Sequence, residues 1–162
     1  MPDINILQAS AQEMEAIQDL WSEYWESLEL PADFQNFTEE RSSLPGIYAP
    51  PKGRLLLALF EGKPAGTAAL RPLKELSCEA KRLYVRPLYR GHGIGKALLS
   101  GLIEEARREG YEVMYGDTLK SMNSALHLYR QMGFSEVAPY SSSPTPNAIF
   151  LKLVLQTPDV PL

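Results

Sequence analysis

A mixed α/β domain is what this sequence predicts, and three observations predict it. Stretches with strand character alternate with amphipathic helical stretches, in the order strand, helices, three strands, helix, strand, helix, two strands. The three middle strands are joined by short turns, so they form an antiparallel meander rather than βαβ units. A glycine-rich stretch, Arg90-Gly91-His92-Gly93-Ile94-Gly95-Lys96, joins the last of them to a strongly amphipathic helix. The class is α/β of the α+β kind: a mixed sheet of about seven strands with helices packed on it.

Residues 3–9 read as the first strand through Ile4 and Ile6. Ser10-Ala11-Gln12-Glu13 has the spacing of a capping box. The helix behind it carries Met14, Ile17, Trp21, Tyr24, Trp25 and Leu28 on one face, and Pro31 is expected to end it. Such an aromatic stripe is a core face first. A short helix is expected at 38–41, closed by Leu44-Pro45-Gly46, and residues 48–53 read as a rigid turn. The polar stretch 33–51, with Phe34, Phe37 and Tyr48, is either a substrate grip or a surface connection.

The meander begins at Arg54. Residues 55–60 are a buried strand, Glu61-Gly62-Lys63-Pro64 a hairpin turn, and residues 65–71 and 77–85 the next two strands. Alternation puts Glu79, Lys81, Leu83 and Val85 on one face and Cys78, Ala80, Arg82 and Tyr84 on the other, unless a bulge intervenes. Pro87 stops the strand. Ile94, Leu98, Leu99, Leu102, Ile103 and Ala106 then recur at helical spacing up to a C-cap at Gly110. A strand at 113–118, a helix from Ser121 to Gly133, strands at 134–138 and 148–156, and a Ser/Pro-rich loop at 141–147 complete the chain. The 162 residues are read as one domain, 1–162, whose tail at 157–162 is expected to fray.

Composition excludes several classes. A formal net charge of -4 argues against a general nucleic-acid binder. No stretch approaches the roughly 20 apolar residues of a membrane span. The single cysteine, Cys78, forms no internal disulfide and points to a reducing compartment. Residues 1–5 lack the basic and apolar regions of a signal peptide, so a cytoplasmic location is expected. No metal site is expected.

The glycine-rich stretch carries the chemistry. Backbone N–H groups at a helix N-terminus, with the helix dipole behind them, form an anion site, most often for phosphate. Arg90 and Lys96 add positive charge. The P-loop pattern fails because Lys96 is followed by Ala97, which has no hydroxyl for magnesium, and the dinucleotide pattern fails because the glycine spacing is G-x-G-x-G. What remains is R-x-x-G-x-G, met by Arg90, Gly93 and Gly95.

That motif resembles the pyrophosphate loop of the GNAT family of acetyl-CoA-dependent N-acetyltransferases. The strand Cys78-Glu79-Ala80-Lys81-Arg82-Leu83-Tyr84-Val85 before it is similar to that family too. So is the segment Ala125…Tyr129…Gly133-Phe134 behind it. The order of elements matches over nearly the whole chain. The resemblance implies the acyl-CoA N-acyltransferase fold, with a splayed, mostly antiparallel sheet flanked by helices on both faces. It implies acetyl-CoA as co-substrate and a small-molecule or peptide amine as acceptor, with a homodimer left open. Neither nucleic acid nor membrane is an expected partner. A non-catalytic acyl-CoA-binding or sensing module, or a transferase of another acyl group, is the alternative.

Carried over residue by residue, backbone groups of Leu83, Tyr84 and Val85 line the pantetheine. Gly91, His92, Gly93, Ile94, Gly95 and Lys96, with Arg90, hold the pyrophosphate. Tyr129 matches the position of a hydroxyl near the sulfur and is the candidate acid; a core tyrosine is the bland alternative. Glu79 is the candidate general base, with a paired structural carboxylate as its alternative. Met122 stands where many relatives have a cofactor-contacting asparagine, so Asn123 receives no role by transfer. Asp117, at the end of its strand, either reaches the acceptor or caps the turn before Ser121, and the role of Tyr140 stays open.

Overall fold

The computed structural model describes residues 2–28, 37–140 and 147–156. The expectations for Pro31, for Phe34, for 141–146 and for the tail at 157–162 lie outside these residues. The elements are β1 (Ile4–Gln8), α1 (Met14–Leu28), α2 (Phe37–Ser42), β2 (Arg54–Phe60), β3 (Lys63–Pro72), β4 (Ser77–Val85), α3 (Ile94–Glu109), β5 (Val113–Leu119), α4 (Asn123–Gln131), β6 (Ser135–Val137) and β7 (Ala148–Val154). They build one seven-stranded sheet in the order β1-β2-β3-β4-β5-β7-β6.

Every neighbouring pair is antiparallel except β4 with β5. That pair is parallel because α3 carries the chain back across the sheet between them. Residues apolar at helical spacing bury α3 on one face: Ile94, Leu98, Leu99, Leu102, Ile103 and Ala106 pack over Leu56, Leu70, Ala80, Met114 and Leu151. Each such leucine contributes about 1.5–3 kcal/mol by leaving water. α4 shares this face through Tyr129, Leu126 and Leu128. On the other face, Ile17, Leu20, Trp21 and Trp25 of α1 and Phe37 of α2 cover Leu55, Leu57, Ala69 and Tyr84. The aromatic stripe of α1 is core, as its spacing suggested.

Local chemistry moved several boundaries. The hairpin turn is only Glu61-Gly62, both at positive φ (51° and 79°), which lets β3 start two residues earlier than expected. At the start of α1, the Glu13 carboxylate accepts from both the Ser10 N–H (2.8 Å) and the Ser10 hydroxyl (2.7 Å). α4 begins at Asn123 rather than Ser121. The Lys120 N–H is held by the Asn147 carbonyl and the Met122 N–H by that of Leu119, which keeps the chain in a turn there. β6 and β7 are each shorter than expected, ending at Val137 and Val154.

Candidate active site

The sheet splits at its parallel pairing, the one such pairing among the described residues. β4 and β5 are matched from Ser77↔Val113 to Ala80↔Gly116 and no further. Beyond that point β4 stays with β3 as far as Val85, and β5 stays with β7 as far as Leu119. The two strands therefore diverge, leaving a gap edged by backbone groups that no strand satisfies. A cleft of about 650 Å³ occupies it. Leu83, Tyr84 and Val85 line it from β4, and Ser27 and Leu28 from the end of α1. Asn123, Ala125 and Leu128 line it from α4, so it opens through both faces of the sheet.

Alternation decides which backbone groups face the gap. The Tyr84 carbonyl points at Gly66 of β3, 2.7 Å from where a Gly66 Cβ would stand, and the Arg86 N–H donates to Ala65 at 2.8 Å. The N–H and C=O groups of Leu83 and Val85 are turned the other way, into the gap. One of them is taken: Arg90 Nε donates to the Val85 carbonyl at 2.9 Å, with its guanidinium over the Tyr84 ring.

The glycine-rich loop closes the wide end. Gly91 and Gly93 sit at φ of 87° and 79°, a region that a side chain disfavours, and this turns the chain directly into α3 at Ile94. The Ala97 N–H is the first to find a helical carbonyl, that of Gly93. The N–H groups of Ile94, Gly95 and Lys96 are thus the free donors of an anion site. Arg90, Gly91, Gly93, Ile94 and Gly95 line the cleft. His92 and Lys96 do not; the His92 ring instead lies against Phe60, with centroids 4.7 Å apart.

Tyr129 lies buried beside the narrow end on the α4 face and is not among the residues lining the cleft. Its ring packs on Gly116, the last β5 residue paired with β4; a Cβ there would stand 3.3 Å from Tyr129 Cε1 and 3.6 Å from its hydroxyl oxygen. A side chain there would push the ring back by a few tenths of an ångström. Burial first, and then the negative charge of Asp117, push the Tyr129 hydroxyl well above the usual tyrosine range, so it stays protonated. It makes no hydrogen bond among the described residues, which leaves its proton free to give.

The opposite face of the split departs from simple alternation. Ala68 of β3 stands against two residues of β4, Arg82 and Leu83, and Arg82 adopts φ of 60°. This bulge reverses the phase of β4. Cys78 and Ala80 before it, and Leu83 and Val85 after it, all pack toward α3 and α4. The expectation that Glu79 shares a face with Leu83 and Val85 is therefore corrected: Glu79 lies on the α1/α2 face. There both its oxygens are engaged, Oε1 by Arg71 Nε at 2.8 Å and Oε2 by the Tyr140 hydroxyl at 2.6 Å. Burial, then the Glu79 charge, raise the Tyr140 hydroxyl well above the usual tyrosine range.

Arg82 is buried on the same face. Its guanidinium lies over the rings of Trp21, Trp25 and Phe37, between 5.4 and 5.7 Å from their centroids, and its Nη2 is 3.0 Å from Glu40 Oε1. Tyr48 donates to the same Glu40 oxygen at 2.8 Å. Lys81 and Asp117 face each other at 3.8 Å just beyond the last parallel pair. Sequence reading gave no role to Arg71, Lys81, Arg82 or Glu40. Its one available signal was the consecutive cations Lys81-Arg82 in an otherwise buried strand. Cys78 is inert, its thiol pushed up to about 12 by burial and then by Glu79.

Comparison with known proteins identifies the family. The profile of the "Acetyltransferase (GNAT) family" matches residues 14–134. An N-acetyltransferase of Schizosaccharomyces pombe is 35% identical over 144 residues, which is 88% of this chain and 88% of that one. An acetyltransferase of Staphylococcus aureus superposes with a TM-score of 0.81 at 22% identity, covering 95% of this chain and 100% of its own. An acetyltransferase of Salmonella typhimurium, solved with its cofactor acetyl-CoA, superposes with a TM-score of 0.71 at 23% identity over 96% and 98% of the two chains. The protein belongs to the GNAT family of acetyltransferases and is an acyltransferase.

Proposed function

We propose that this protein is an N-acetyltransferase that moves the acetyl group of acetyl-CoA to a primary amine of a small molecule or peptide, by direct attack with both reactants bound. The observation that carries this reading is the β4–β5 split, with the anion site at its wide end and Tyr129 at its apex. When bound, acetyl-CoA supplies an activated acyl carbon: an N–C bond forms as the C–S bond breaks, the amine loses a proton and the thiolate gains one.

The chain's own groups divide that work. Free N–H groups of Ile94, Gly95 and Lys96, with Gly91, His92, Gly93 and Arg90, hold the diphosphate. Leu83 and Val85 backbone groups align the pantetheine along β4, and one of their N–H groups polarises the carbonyl, worth roughly 3 kcal/mol. Tyr129 donates its proton toward the sulfur. Glu79 receives the amine's proton through the Tyr140 hydroxyl that already bonds it.

A thiol-release assay over a panel of amines tests the activity; tight acetyl-CoA binding with no turnover on any amine would overturn it. Tyr129→Phe should lower kcat by about a hundredfold, the lower range of general acid catalysis, with acetyl-CoA affinity held. An unchanged kcat removes its role as acid. Glu79→Gln should alter the pH–rate profile, and an unaltered profile removes it as the base.

A further inference from the structure

One ion pair at the apex has no part in the roles given above. Lys81 and Asp117 are the first residues of β4 and β5 beyond the last parallel pair. Lys81 Nζ is 3.8 Å from Asp117 Oδ1, and the side chains are only 13% and 22% exposed. A charged hydrogen bond closes to about 2.7–2.9 Å, so this pair is held loosely. Asp117 stands opposite Phe150 in the β5–β7 register, which puts both on the α1/α2 face. Tyr140 packs on Phe150 and on Tyr115 of the same face, with centroids 5.1 and 4.7 Å apart. The pair therefore sits on the side of the apex opposite Tyr129, beside an aromatic wall.

Charge balance decides which amine fits there. An ammonium that reached Asp117 alone would displace Lys81 and leave it a buried, unpaired cation, which is strongly unfavourable. A second ammonium on the same molecule would find Glu79 and Glu40 already bound to Arg71 and Arg82, at 2.8 and 3.0 Å. A molecule that carries a carboxylate beside its ammonium replaces both halves of the ion pair at once, and the site stays neutral. Resting on the acetyltransferase reading, we propose that the acceptor is a compact amino carboxylate with an apolar side chain. Asp117 holds its ammonium, Lys81 its carboxylate, and Tyr115, Tyr140 and Phe150 its side chain.

Binding, read without turnover, tests this. Saturation-transfer NMR on the CoA-saturated protein compares L-leucine with isopentylamine and L-phenylalanine with phenethylamine, each amine being the amino acid without its carboxylate. At least one amino acid should bind roughly tenfold tighter than its amine, the scale of one charged partner. Lys81→Met should erase that preference, Lys81→Arg should keep it, and Asp117→Asn should weaken amino acid and amine alike. Binding of neither amino acid, equal binding of the amines, or a preference that survives in Lys81→Met would overturn the proposal. Thiol release from acetyl-CoA is measured alongside. Charge-dependent binding with no transfer sinks the acetyltransferase reading and leaves the site. Transfer to amines alone, with no amino acid bound, sinks the site and leaves the reading.

Discussion

The two faces of the sheet are built on different chemistry. Under α3 and α4 the packing is apolar, from Leu56 and Leu70 through Leu99 and Leu102 to Met114, and Tyr129 brings a hydroxyl to the split. Under α1 and α2 the strands carry ions: Arg71 with Glu79, Lys81 with Asp117, Arg82 with Glu40, and Arg86 with Glu23 at the mouth. An apolar face can be assembled from interchangeable aliphatic side chains. A buried ion pair must find its partner, because an unpaired charge there costs more than the pair returns. On the function proposed above, the apolar face supports the donor cleft and the charged face receives the acceptor.

Breaking an ion pair on the charged face should cost the most. Arg82→Ala leaves Glu40 without its counter-ion, held among the described residues only by the Tyr48 hydroxyl, and empties the space over three aromatic rings. The expected loss is about 4 kcal/mol in urea unfolding. Leu99→Ala on the apolar face should lose about 3 kcal/mol by leaving a cavity, with acceptor KM unchanged in the protein that remains folded. If Arg82→Ala costs no more than an ordinary surface substitution, the ions of this face are decoration and the contrast fails.

The same contrast explains what the sequence made legible. The α3 face and the loop were readable because their determinants are local: apolar residues at helical spacing, and glycines at Gly91 and Gly93 where the chain turns through positive φ. Backbone N–H groups at a helix start do not depend on which residue supplies them. The charged face was not readable. Its partners lie far apart in the chain, Glu40 with Arg82 and Glu79 with Tyr140, and no periodicity couples them. Strict alternation also misplaced Glu79 relative to Leu83, because one bulge at Arg82 reverses the pattern for every residue beyond it. The sequence left Asp117 between the acceptor and a turn cap and gave Tyr140 no role, since only the fold brings them to one apex.

Gly116 joins the two faces, and a smaller effect is expected there. Alanine would press a methyl group against Tyr129 Cε1, 3.3 Å away, from within a strand that has little freedom to move. The hydroxyl should shift while the loop and the β4 backbone stay in place. We expect Gly116→Ala to lower kcat by about tenfold, equivalent to about 1.4 kcal/mol, with KM for acetyl-CoA unchanged. A rise in acetyl-CoA KM instead would mean that Gly116 serves the cleft and not the tyrosine.

The smallest effect compares two tyrosine hydroxyls across the sheet, one buried and one half-buried. Burial and nearby carboxylates raise both Tyr129 and Tyr140 well above the ordinary tyrosine value near 10. The unfolded chain therefore releases these protons first as pH rises, binds fewer than the native state, and is favoured by alkali. The stability is fully present below the unfolded value and is lost as pH rises through the range up to the folded one. Each such tyrosine should take about 1 kcal/mol from unfolding stability between pH 10 and pH 11. Tyr129→Phe and Tyr140→Phe should each remove one such share from the alkaline slope, whatever they do at neutral pH. A slope that falls for Tyr129→Phe alone would mean that the Tyr140 hydroxyl titrates freely. Its bond to Glu79 would then be too weak to carry a proton from the acceptor.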